Sequence, residues 1–134
     1  MAIEINMSAV EAMLNAIADS ATTLHVVNAY TLGDAYATVN TNTVITYTLT
    51  VGDGNGDYTI STPTSGTRRL TIAAQSGGTT TADTGATPDL HYVLTNGTDT
   101  VYYATDETSD AVVSTGAVMN TDAFYVQTTA IAAV

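Results

Sequence analysis

The 134-residue chain has no cysteine, no tryptophan and no lysine, and its only basic side chains besides two histidines are the adjacent Arg68 and Arg69. Each absence closes a class of chemistry. Without cysteine there is no disulfide, no thiolate zinc site and no iron–sulfur cluster. Without lysine there is no Schiff base and no Walker-type phosphate loop. Against two arginines stand 13 Asp and Glu residues, giving a net charge of −11 and a pI near 4.1. Such a polyanion cannot neutralise a run of phosphates, so no nucleic-acid partner is expected. No stretch approaches the roughly 20 apolar residues that cross a bilayer, so no membrane partner is expected either. Residues 1–20 carry Glu4, Glu11 and Asp19 and no basic side chain, unlike the positively charged start of a secretory signal. The chain therefore reads as made in the cytoplasm.

What is present is a folding sequence. Hydrophobic residues make up 45% and charged residues only 11%, far from the composition of disordered chains. More than a fifth of the positions are threonine, whose branched Cβ stiffens an extended backbone while its hydroxyl tolerates water. The length suits one domain. We expect a short arm over residues 1–7 and a single domain over 8–134.

The only helical pattern runs from Met7 to Asp19. Val10, Met13, Leu14 and Ile17 recur at helical spacing, and Ser8 followed by Glu11 fits a capping box, so a helix is predicted over 8–19 with its apolar stripe on the sheet of its own chain. From Thr22 the period becomes two. Ile45, Tyr47, Leu49 and Val51 alternate with Thr46, Thr48 and Thr50, as in a half-buried strand. Residues 52–57, Gly-Asp-Gly-Asn-Gly-Asp, turn the chain into a strand over Tyr58–Ser61. Arg68–Gln75 is another strand, with Leu70 and Ile72 on one face and Arg69 and Thr71 on the other. Asn96-Gly97 predicts a type I′ hairpin in which Thr95 faces Thr98, and Leu90, Tyr92 and Leu94 share a core face with Val101 and Tyr103. Strands are also expected at Thr23–His25, Val112–Thr115 and Phe124–Ile131, and a flexible loop at Gly77–Thr81. The fold class is mainly β: an antiparallel β-sandwich or barrel of six or more strands with one short N-terminal α-helix.

Candidate chemistry is sparse. Asp53, Asn55 and Asp57 alternate like the first oxygen ligands of a calcium loop, but Tyr58 and Thr64 stand where glycine and glutamate belong, and a glycine-rich turn explains the same residues. Asp106, Glu107 and Asp110 read as a solvated acidic loop. His25 and His91 lie in predicted strands without a ligand residue at metal spacing, and we read them as structural. No catalytic residue and no cofactor is expected. Eight tyrosines against one phenylalanine are compatible with core packing, a carbohydrate site or a protein interface. Arg68 and Arg69 are expected to bind a carboxylate cluster, internal or on a partner.

The order of the pieces has a resemblance of its own. An Ala-rich helix over Ser8–Ile17 precedes Thr-Leu-His at 23–25, Arg-Arg-Leu-Thr-Ile-Ala-Ala-Gln at 68–75, and a Gly/Thr stretch. Gly85–Leu94, a polar turn, Val101–Thr105, Val113-Ser-Thr-Gly116 and a closing strand follow. This resembles a group of small phage virion proteins whose C-terminal half reads Arg-x-Leu-Thr-Val-Ala-Ala, Ala-x-His-Val-Ala-Leu-Val, a leucine-rich strand, Thr-x-Gly and a final strand. The present chain departs at Pro88-Asp89 and Tyr92. The resemblance implies a structural protein of a tailed phage, of the capsid decoration or cement type, and no enzyme. The expected partner is the major capsid protein on the outer surface of the virion, with this chain as a trimer. Ile3, Ile5, Met7, Arg68 and Arg69 are the expected contacts. A tail, neck or fibre module, and a carbohydrate-binding sandwich, are the alternatives.

Overall fold

The computed structural model describes residues 5–129. The chain forms two compact units interleaved in sequence: one takes the residues through Ser20, 50–74 and those from Asp122 onward, and the other takes 21–49 and 75–121. Seven strands form two antiparallel sheets, of four and three strands. The mainly β class with a short N-terminal helix is as expected and consistent with a β-sandwich.

In the first unit, helix α1 (Met7–Ser20) packs against β3 (Tyr58–Ser61), β4 (Thr67–Ile72) and β7 (Phe124–Thr129), in the order β3-β4-β7. The helix starts one residue before the prediction, and Ser8 is not its cap. The Asn6 side-chain oxygen accepts the Ser8 N–H at 2.7 Å, and the Asn6 carbonyl takes the Ala9 and Val10 amides. Asparagine caps at least as well as serine, which leaves Glu11 free to reach elsewhere. Val10, Leu14 and Ala18 are the buried stripe; Met13, expected inside, is exposed. Pairing of Ile60 with Leu70 and of Leu70 with Val126 puts the apolar residues of all three strands on one face. The turn at 52–57 forms as read, its three glycines all at positive φ. Of the predicted arm, Ile5 and Asn6 precede the helix and Met7 begins it; residues 1–4 lie outside the described residues, as do residues 130 and 131 of the predicted last strand.

The second unit orders its sheet β2-β1-β5-β6, with β1 at Thr23–Val27, β2 at Thr43–Thr48, β5 at His91–Thr95 and β6 at Val101–Asp106. From Ile45 to Leu49 the predicted alternation of buried and exposed residues holds. A second helix, α2 (Tyr36–Thr41), was not expected. Six residues are too few to display a period, and a single valine, Val39, is buried from it. Because α2 packs on β1, both faces of β1 are covered, and Val27, Val39 and Val93 form a buried cluster with Tyr30, Val101 and Ala104 against it.

The hairpin differs most. Asn96 is not at positive φ, so the turn is not type I′. Its side-chain oxygen instead accepts the amides of Thr98, Asp99 and Thr100, and the loop closes with Asn96 N–H on the Thr100 carbonyl. The register shifts accordingly: Leu94 faces Tyr103, His91 faces Asp106, and an irregularity beyond Leu94 pairs Thr95 with Val101. The extra residue, Tyr102, moves Val101 to the face of Val93, not that of Leu94. Val112–Thr115 is not a strand, because its backbone bonds to threonines of a neighbouring loop: Val113 N–H donates to Thr84 Oγ1 at 2.8 Å, and Thr84 N–H to the Val113 carbonyl. The Gly77–Thr81 loop is likewise pinned. Gly78 N–H donates to the Tyr47 hydroxyl, which itself donates to the Met119 carbonyl, and Thr80 is buried.

Candidate functional site: a tyrosine-lined groove

A groove of about 650 Å³ opens in the second unit, between the 30–36 segment and residues 99–104. Tyr30, Tyr36, Tyr102 and Tyr103 line it, with Leu32, Asp34 and Asp99. The local fold explains each. Leu32 sits at the tip of a turn in which Asp34 accepts the Thr31 amide, and it is 95% exposed. Tyr36 opens α2 and donates its hydroxyl to the Gly97 carbonyl at 2.9 Å, tying the segment to the hairpin. Tyr102 is the extra residue of the β6 irregularity. The Asn96 amide, and then the Thr100 hydroxyl, hold the Asp99 carboxyl below its usual range. Flat rings with hydroxyls at their edges and two fixed carboxylates suit a partner that offers apolar faces and hydrogen-bond donors, such as a protein side-chain cluster or a sugar.

No family model, curated protein or solved structure matches the chain. Its groove must therefore be understood from its own residues.

Behind the groove lies a polar relay. His25 is buried, with Nδ1 2.9 Å from Thr43 Oγ1 and Nε2 2.9 Å from Thr95 Oγ1. Thr43 spends its single hydroxyl proton on the Val39 carbonyl at 2.7 Å, so its oxygen accepts from His25 Nδ1–H. Nε2 is then the acceptor for Thr95 O–H, and Thr95 accepts the Gly97 amide at 3.0 Å. The neutral tautomer is fixed at both ends. Burial lowers the His25 pKa from 6.5 to about 4, and Tyr36 contacts its ring edge-on. This places His25 as a satisfied core residue that ties α2, β1, β2 and β5 together.

The other sequence candidates separate. Arg68, on the same strand face as Leu70, reaches Glu11 of α1 at 3.3 Å. Arg69, on the opposite face, donates twice to the Gln127 amide oxygen (2.7 and 3.0 Å) and stacks 3.9 Å above the Tyr125 ring. One arginine has thus found a carboxylate and the other an amide and a ring. Ile5 is exposed and Met7 half-buried; Ile3 lies outside the described residues. In the 52–57 turn, Asp53 accepts the Ile60 amide at 2.7 Å and Asp57 the Thr50 amide at 2.6 Å, while the Asn55 amide nitrogen donates to the Val51 carbonyl. These groups close the turn.

Two features escaped the sequence. The acidic loop after β6 is not simply solvated: Glu107 is buried and its carboxylate accepts from Ser109 and the Asp110 amide, while Asp110 accepts the Leu90 amide at 2.8 Å. And His91 has acidic neighbours after all. Asp89, two residues before β5 begins, sets its carboxylate 4.0 Å from His91 Nδ1, and the true register sets Asp106 opposite.

Proposed function

We propose that the chain is a structural virion protein of a tailed phage, a decoration or cement protein that binds the outer capsid surface across joints between major capsid subunits. In this reading it acts as a trimer and carries out no catalysis. One observation carries it. Most of the segments that bear the resemblance coincide with the framework of the fold: 8–17 lies in α1, 23–25 opens β1, 68–75 covers most of β4, 85–94 leads into β5, and 101–105 lies in β6, while 113–116 lies in a loop. The likeness is thus to an order of structural elements. A binder of this kind stabilises the shell by mass action, because it occupies the assembled state and not the free subunits. The acidic surface keeps it off the packaged polyanion. Ile5, Arg69 and its stacked Tyr125, which is 52% exposed, are the contacts that unit one offers, and the tyrosine groove is the contact surface of unit two.

Occupancy on tail-less heads tests this. Cement co-purifies with heads at hundreds of copies and protects them against heating; recovery with tails or fibres alone overturns the capsid position in favour of a tail, neck or fibre module. Deleting residues 1–7 is expected to abolish head binding while leaving the far-ultraviolet circular dichroism of the sheets in place.

The groove supports a second reading, a carbohydrate-binding module. Glycan-array binding lost in Tyr30→Ala and Tyr102→Ala, with head binding absent, would favour it.

A further inference from the structure

We propose that Asp89, His91 and Asp106 bind one Zn²⁺ ion that fastens the start of β5 to the end of β6. One ligand atom from each lies within 4.8 Å of the other two. The imidazole is already oriented for the task. Its Nδ1 lies 3.2 Å from the Asp89 carbonyl oxygen, and a carbonyl only accepts, so Nδ1 holds the proton and the neutral ring presents its lone pair at Nε2. That is how metal-binding imidazoles are commonly held, the non-ligating N–H donated to a backbone carbonyl. Nε2 faces Asp106 Oδ1 at 3.8 Å. This is too long for a hydrogen bond, but it is close to the spacing of two ligands that share an ion with bonds of about 2.0–2.2 Å.

The scaffold around the three residues is fixed. Leu90, between Asp89 and His91, donates its N–H to Asp110 at 2.8 Å and accepts the Glu107 amide at 2.8 Å. Glu107 in turn holds the Ser109 and Asp110 amides. Tyr30 packs its ring 5.7 Å from that of His91. The His91 side chain is only 17% exposed, whereas the two carboxylates are 72% and 58% exposed; Asp106 already faces Nε2, and Asp89, whose Oδ1 lies 4.0 Å from Nδ1, turns toward Nε2 to join the ion. One imidazole nitrogen with two carboxylate oxygens selects zinc over calcium or magnesium, which take oxygen throughout. A fourth position is left to water or to a group from a partner. The net charge of −11 raises the local concentration of any divalent cation. The site is independent of the capsid assignment.

Chelator-treated full-length protein titrated with ZnCl₂ by isothermal calorimetry tests the proposal, with long-range ¹H–¹⁵N spectra reading each imidazole nitrogen. The expected result is one ion per chain, a shift of His91 Nε2 with His25 unmoved, and binding at least about tenfold weaker in His91→Gln and Asp106→Asn. Asp19→Asn, which removes an exposed carboxylate of α1, is expected to leave it unchanged. Absence of heat, equal affinity in His91→Gln, or several ions bound with no shift at Nε2 would each overturn the site. So would CaCl₂ binding as tightly as ZnCl₂. Should a variant fail to fold, the nitrogen shifts of the unaltered protein still decide.

Discussion

The two units solve the same problem with different materials. The first buries an apolar helix stripe, Val10, Leu14 and Ala18, on three strands, and its conspicuous polar groups, Arg68 and Arg69, stay near the surface. The second has no long helix. It covers its sheet with a six-residue helix and with threonine-rich loops, and it buries His25, Glu107 and four threonines, Thr80, Thr84, Thr95 and Thr121. A helix-covered sheet draws its stability from apolar area. A loop-covered sheet must satisfy each polar group that the loops carry inward, because an unpaired buried hydroxyl or amide costs about 1–3 kcal/mol. The first unit should therefore be sensitive to side-chain volume, and the second to protons and to the fit of its loops.

The largest expected effect is in the first unit. Leu14 is fully buried, and Leu14→Ala should cost about 3 kcal/mol, within the usual 2–5 for such truncations. Urea unfolding measures the cost, and faster amide exchange in α1, β3 and β4 locates it. Acid should act on the second unit. The His25 pKa falls from 6.5 to about 4 on folding, so the unfolded chain binds the extra proton between those values. That stability is complete above pH 6.5, declines as the pH drops, and is gone below 4. At about 1.4 kcal/mol per unit the loss is at most about 3 kcal/mol. Denaturation as a function of pH, with the His25 ring titrated by NMR, checks both window and sign; a ring titrating near 6.5 breaks the comparison.

Gly78→Ala probes loop fit. A Cβ there would lie 2.7 Å from the Tyr47 hydroxyl oxygen and 2.9 Å from Ile45 Cδ1. Overpacking of about 1–3 kcal/mol is expected, with loss of amide protection at Gly78 and Met119. The smallest effect sharpens the first unit: Asn6→Ala should remove about 1 kcal/mol and fray the first turn of α1 by circular dichroism, whereas Ser8→Ala should be nearly silent.

How legible each unit was follows from the same contrast. Periodicity exposes a helix face and an alternating strand, so α1, β3 and β4 could be read from Leu14, Tyr58 and Leu70. The cap was misplaced because Asn6 and Ser8 are both good caps, and only the chain path chooses. In the second unit the deciding information lies in side chains that bond to backbone. Asn96 looked like half of a two-residue turn, but its oxygen gathers three amides and widens the loop. That error moved the register by several residues and hid the encounter of His91 with Asp106. The Asp99-Thr100 pair after Asn96 was the signal available, since both return bonds to the turn. The Tyr102 irregularity and α2 left no periodic trace, so the groove they build could not be read as a site.

The threading of the chain has a consequence for synthesis. Every strand of the four-stranded sheet has been made by the time Asp106 is translated, and its unit ends at Thr121. Helix α1 precedes every strand, yet its sheet lacks β7 until Phe124–Thr129 are made. On the ribosome, α1 emerges before any of these strands and is among the last elements to find its full set of neighbours. A chain stalled before β7 therefore leaves β4 with an open edge while the later-starting unit is already complete.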